Sequence, residues 1–141
     1  MSKLFIDTWG WLTLHNKREP RHTEVVDFYR AFRTQRGIIY TTDYVLDETY
    51  TLMFKRLPAN HAKAALEGLF SAFSQDGFKL FWITPERFAQ AQTLRTKFLD
   101  KPDISFTDLT SMLVMMEYKI QSVLTEDSHF DQVNLGFQRL P

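Results

Sequence analysis

Cysteine is absent from the 141 residues, which excludes a disulfide framework, a thiolate nucleophile and any Cys-ligated zinc or iron–sulfur centre. Glycine and proline are scarce, at five each, so flexible linkers and disorder are not expected over most of the chain. Neither charge sign is in excess: seventeen Lys and Arg face seventeen Asp and Glu, which rules out a highly basic coat. Residues 1–65 hold ten basic against seven acidic side chains, and residues 66–141 seven against ten. That mild asymmetry permits a local phosphate-binding surface beside an acidic pocket. No long hydrophobic run opens the chain, because Leu4-Phe5-Ile6 is followed at once by Asp7. That is too soon for a signal-peptide core or a membrane span, and a cytoplasmic protein without a membrane partner is expected. The glycine fingerprints of P-loops and dinucleotide-binding turns are also missing.

What is present is a core. Apolar residues make up 44% and aromatics 15%, and the length suits a single domain over residues 1–141. Lys3 to Ile6 reads as a short buried strand, followed by a brief helical segment from Thr8 to His15. Arg21 to Gln35 carries Val25, Val26, Phe28, Tyr29 and Phe32 at helical spacing, with Gly37 as the expected C-cap. A second β-branched run, Gly37 to Thr41, leads to Thr42 as the cap of a helix ending at Arg56 before Pro58. Ala59 to Phe73 is a further helix, Phe78 to Ile83 a third strand, and Pro85 to about Phe98 another helix. Ser105 to Tyr118 reads as a strongly apolar helix, Ser122 to Leu124 as a fourth strand, and Gly136 to Leu140 as a last one. Strands alternating with helices, with no hairpin dipeptide between them, predict a mainly parallel sheet with helices on both faces.

In such a sheet ligands bind beyond the carboxyl ends of the strands. Asp7 directly follows the first strand, and Asp127 follows the fourth. Glu48 falls on the apolar stripe of its helix, between Val45 and Leu52, where a carboxylate needs a hydrogen bond, a cation or a metal. Asp108 opens an apolar helix and needs a partner too. Converging carboxylates repel one another unless a divalent cation neutralises them, and oxygen-only ligands favour Mg²⁺ or Mn²⁺ over zinc. Each acid also has a structural explanation. Asp7 and Asp127 could serve as turn or cap residues, and Glu48 could belong to a buried ion pair. Ser105-Phe106-Thr107-Asp108 matches a capping box, in which the acid bonds back to the cap amide. Asp103 and Asp131 are the nearest contenders for a further place in the cluster.

The ordered set Leu4-Phe5-Ile6-Asp7-Thr8, Val45-Leu46-Asp47-Glu48, Ser105-Phe106-Thr107-Asp108 and Val123 to Phe130 resembles a PIN domain, most closely the bacterial VapC-like PIN proteins, over nearly the whole chain. Each motif alone is unspecific; their order and spacing are not. The resemblance implies a three-layer α/β/α sandwich. It also implies a Mg²⁺ or Mn²⁺ site lined by Asp7, Glu48, Asp108 and Asp127 that cuts RNA to leave a 5′-phosphate. It further implies a homodimeric toxin held inactive by a small antitoxin. Asp47 before Glu48 and the bulky Trp9-Gly10-Trp11 depart from the usual pattern and put the shape of the pocket in question.

Thr8, Thr125 and Ser128 stand where hydroxyls could orient the acids, and His129 is read as stabilising the turn before Phe130. Arg30, Arg33 and Arg36, or Lys55 and Arg56, could meet substrate phosphates, although a solvated helix face explains them as well. Alternatives are an RNA-processing nuclease or a binding module on the same fold. A Mg²⁺-dependent Asp phosphatase or a receiver domain is disfavoured, since the phosphatase pattern wants a second Asp where Trp9 stands.

Overall fold

The computed structural model describes residues 2–141. Five strands form one sheet: β1 (Lys3–Ile6), β2 (Ile38–Thr42), β3 (Phe78–Phe81), β4 (Ser122–Leu124) and β5 (Gln138–Leu140). The helices are α1 (Thr8–His15), α2 (His22–Thr34), α3 (Asp43–Arg56), α4 (Ala59–Ala72), α5 (Pro85–Lys97), α6 (Phe106–Glu117) and α7 (His129–Gln132). Strand order is β3-β2-β1-β4-β5, and every pairing is parallel. The sequence expectation of a parallel α/β sheet is therefore met, with ends shifted by a residue or two. The short α7 escaped it because four residues carry no measurable helical period.

The chain runs from β1 outward to β2 and β3, then returns past β1 to place β4 on its other side. Right-handed crossovers consequently put the helices that link β1, β2 and β3 on one face and α5 and α6 on the other. The point where the order reverses lies between β1 and β4, whose register pairs Phe5 with Val123 and Ile6 with Leu124. Leu4, Phe5, Ile6, Ile39, Val123 and Leu124 are fully buried between the two helical layers, each contributing about 1.5–3 kcal/mol if such a side chain would otherwise face water. Among the described residues no helix is long and apolar enough to cross a membrane.

Two glycines serve close approach. A Cβ on Gly10 would sit 2.7 Å from the Ile6 Cγ2 atom and 2.8 Å from the Leu124 carbonyl oxygen, so α1 can lie this tightly over β1 and β4 only without one. Gly37 was expected to cap α2 through a left-handed backbone, but Arg36 takes that conformation, with φ of 63°. The Arg36 N–H donates to the Arg33 carbonyl and the Gly37 N–H to that of Phe32, the paired bonds of a Schellman ending. Gly37 is instead required by the Phe32 ring, whose nearest atom lies 2.2 Å from where a Cβ would stand. Arg33 is equally structural: it donates to the Gly37 and Gly77 carbonyls and lies over the Phe78 ring at 4.3 Å. It is thus withdrawn from any role toward a phosphate ligand.

Candidate active site

At the reversal point the ends of β1 and β4 present Asp7 and Thr125 side by side. Asp7 is only 6% exposed and uses both oxygens: Oδ1 accepts the Gly10 N–H at 3.0 Å, capping α1, while Oδ2 takes a short hydrogen bond from the Thr125 hydroxyl. The helix-cap reading of Asp7 is thus correct, and it coexists with a place in the site. Burial pushes its carboxyl up to about 7 against the two hydrogen bonds, with Asp127 and Glu48 adding repulsion. Thr125 also accepts the Asp127 N–H at 3.0 Å. One hydroxyl therefore fixes two acids.

Asp127 in turn closes an Asx turn, accepting the His129 N–H at 2.8 Å. The His129 ring Nδ1 lies 3.0 Å from the same carboxylate and 3.6 Å from Asp108. The turn-stabilising reading of His129 holds, but the ring also stands among the acids. Donor atoms of Asp108, Asp127 and His129 all fall within 4.8 Å of one another, a grouping able to hold a metal ion.

Asp108 settles the capping-box question by half. Its own N–H donates to the Ser105 hydroxyl at 3.0 Å, as a cap requires. Among the described residues, however, no bond returns from its carboxylate to the Ser105 amide. The carboxyl is turned toward Asp127 instead, and burial, a hydrogen bond with Asp127 and the charges of Asp127, Asp7 and Glu48 all push it well above the usual carboxylate range.

Glu48 differs from expectation. It shares its helix stripe with Val45 and Leu52, yet it is exposed, whereas Val45, Leu46, Thr49 and Met53 are the buried residues of α3. The reason is that the stripe forms the wall of an open cleft rather than closed core. Partial burial in that wall, and Asp47 beside it, raise the Glu48 carboxyl.

Asp7, Glu48, Asp108 and Asp127 line one cleft of about 360 Å³, together with Thr8, Trp9, Arg56, Asp103 and His129. Of the two contenders, Asp103 lies on its rim, while Asp131 does not line it and pairs with Arg139 at 2.8 Å. Of the hydroxyls, Thr125 orients acids, Thr8 lines the wall, and Ser128 accepts from Gln132 at 3.3 Å instead. Of the bulky pair, Trp11 is core and donates to Thr41 at 3.2 Å. Trp9 flanks the cleft with the Arg21 guanidinium 5.3 Å from its ring centroid.

Replacing Thr125 by valine removes the donor to Asp7 and the acceptor of the Asp127 amide at almost constant volume. Activity is expected to fall about 10- to 100-fold, the usual cost of losing an outer hydrogen-bond partner of a metal site. The fold should survive, which circular dichroism beside a kinetic assay would show.

The PIN domain pattern matches residues 4–135, a span that includes all four of these acids. This chain belongs to the PIN domain family. Among characterised relatives it is similar to the 23S rRNA-specific endonuclease VapC20 of Mycobacterium tuberculosis, strains CDC 1551 / Oshkosh and ATCC 25618 / H37Rv. The identity is 28% over 127 residues, covering 90% of this chain and 91% of the relative. The crystal structure of M. tuberculosis VapC20, described as a Sarcin-Ricin loop cleaving toxin, superimposes with a TM-score of 0.80 at 27% identity, covering 97% of this chain and 98% of that one. VapBC2 from Rickettsia felis, solved bound to a promoter DNA fragment, shares the fold at 13% identity with a TM-score of 0.72, covering 99% of both chains.

Proposed function

We propose that this protein is a divalent-metal-dependent endoribonuclease, the toxin of a toxin–antitoxin pair, acting through Asp7, Glu48, Asp108 and Asp127. The observation that carries this reading is the convergence of four carboxylates from separate elements in one cleft, two of them buried enough to resist ionisation. An acid cluster whose Asp7 and Asp108 carboxyls are shielded from water is costly by itself. Carboxylate oxygens suit Mg²⁺ or Mn²⁺, and the donor atoms grouped closely enough for one ion are oxygens of Asp108 and Asp127 with a nitrogen of His129.

A bound divalent ion supplies Lewis-acid stabilisation of the charge that develops at the phosphodiester and makes water a stronger nucleophile near neutral pH. The chain supplies the rest. Thr125 fixes the directions in which Asp7 and Asp127 present their oxygens, and His129 steadies Asp127 from the far side. Arg56, at the cleft wall, offers a guanidinium to a phosphate of the substrate. RNA as the substrate class is supported by the likeness to VapC20.

The toxin reading brings a small antitoxin protein as partner and the cytoplasm as location, in a chain read as one domain over residues 1–141. A homodimer accounts for large exposed apolar side chains, among them Phe70 at 79%, Trp82 at 63% and Leu99 at 76%. The test is cleavage of single-stranded and ribosomal RNA by the purified protein with Mg²⁺, with Mn²⁺ or with EDTA. Cuts leaving 5′-phosphates are expected only with metal. No cleavage of either RNA under any metal, or equal cleavage in EDTA, sinks the reading.

A further inference from the structure

Beside the catalytic cleft lies a second cavity of about 500 Å³, between the turn joining α1 to α2 and the junction of α3 with α4. Its lining includes Lys17 and Arg18 from the turn, Arg56 from the end of α3, and His15 and His61, with no acid at all. Arg56 lines the carboxylate cleft as well, so the two openings meet at that side chain.

The chain as a whole balances its charges. Elsewhere on the surface Arg21, Arg87 and Arg139 each hold a carboxylate. Among the described residues Lys17, Arg18 and Arg56 hold none. Three uncompensated cations around one cavity make a local field that attracts an anion, and here it adjoins a cleft that itself repels one.

We propose that this cavity is a phosphate subsite for the substrate strand: RNA whose scissile phosphate lies at the carboxylates passes Arg56 and sets a flanking backbone phosphate against Lys17 and Arg18. The inference rests on the nuclease reading above and adds where the strand goes.

His15, which also lines the cavity, offers a contact suited to a ribose. Its Nδ1 lies 2.7 Å from the Trp11 carbonyl oxygen and must donate to it. Burial lowers its pKa and so favours the neutral ring, in which Nε2 is an acceptor once Nδ1 carries the proton. A ribose 2′-hydroxyl passing His15 can donate to that nitrogen.

The test substitutes Lys17→Ala together with Arg18→Ala. The turn keeps its backbone, because the Arg18 N–H, not its side chain, bonds the Asn16 carboxamide at 3.0 Å. Binding of a short fluorescein-labelled single-stranded RNA is followed by anisotropy in EDTA, where no cleavage is expected, over a range of salt. Relative to the unsubstituted protein, the double variant is expected to bind about five- to tenfold more weakly at low salt. Its slope of log affinity against log salt should be shallower by roughly 0.7, the value for one single-strand phosphate no longer neutralised. The exchange Lys17→Arg with Arg18→Lys should keep the slope. Lys97→Ala, which removes a cation lining neither cavity, should leave both quantities almost unchanged.

An unaltered slope in the double variant, or an equal loss in Lys97→Ala, overturns the subsite while leaving a protein that still cuts RNA. A protein that neither binds nor cuts RNA overturns the subsite together with the nuclease reading.

Discussion

Replacing Asp7 by asparagine is expected to cut RNA cleavage at least about a hundredfold while making the metal-free protein more stable near pH 8. The two effects share one cause. Asp7 is buried among apolar neighbours and next to other acids, and its carboxyl is raised from 3.8 to about 7. Holding it ionised costs the fold on the order of 4 kcal/mol above that pH, because every tenfold change in proton affinity is worth about 1.4 kcal/mol. Asparagine keeps the shape and still accepts the Gly10 N–H, but it carries no charge. Part of the gain is offset because the Thr125 hydroxyl, which already accepts from Asp127, loses a carboxylate to donate to. A net stabilisation of about 1–3 kcal/mol in urea denaturation is the expected result. An Asp7→Asn protein that cleaves RNA at the native rate, or that unfolds more easily near pH 8 in EDTA, contradicts the account.

The second large effect is the offsetting of this pH dependence by metal. In EDTA, Asp7 and Asp108 are protonated more readily in the folded chain than in the unfolded one. The folded state therefore holds protons that unfolding releases, and stability falls as pH rises. The loss is absent below about pH 4, grows until the folded value of Asp7 near 7 is passed, and continues somewhat beyond it through Asp108. His15 acts in the opposite sense, since its lowered pKa costs stability as pH falls below its ordinary value. Comparing curves with and without metal cancels that contribution.

On the proposed reading, Mg²⁺ or Mn²⁺ would bind only the ionised cluster and only the folded state. Its stabilisation should be small near pH 5 and reach about 2.7 kcal/mol near pH 8 at a hundred times its dissociation constant. Thermal melts across this range would show melting temperature declining in EDTA and held up by metal. A metal effect of equal size at both ends of the range would mean that the raised carboxyls are not where the ion binds.

Much of this site could be read from the chain because strand ends are legible. Asp7 follows β1 directly and Asp127 comes shortly after β4, beyond Thr125 and Glu126, and the carboxyl ends of a parallel sheet face one crevice. Asp108 resisted because a helix cap and a site ligand want the same residue at the same offset from Ser105. Only the direction of its carboxylate separates the two, and that is a rotamer, not a spacing. Glu48 was found for an imperfect reason, since Val45 and Leu52 mark a cleft wall as readily as they mark core.

Thr125 was visible as one hydroxyl among several. That it alone bridges two acids depends on the register between β1 and β4, which local sequence does not specify. Arg33 and Arg56 looked equivalent as basic residues near helix ends. The Gly77 turn claimed the first, and the cleft kept the second.

The bond from Thr125 to Asp7 joins residues 118 positions apart, and the strands that carry them are neighbours. No nascent chain short of Thr125 can contain the site, because half of its floor has yet to be synthesised. Closing so long a loop is also among the slower steps available to a small α/β domain. An enzyme of this plan stays inert until the segment carrying Thr125 and Asp127 has been made and has docked beside β1. That delay would give a partner made alongside it time to be waiting.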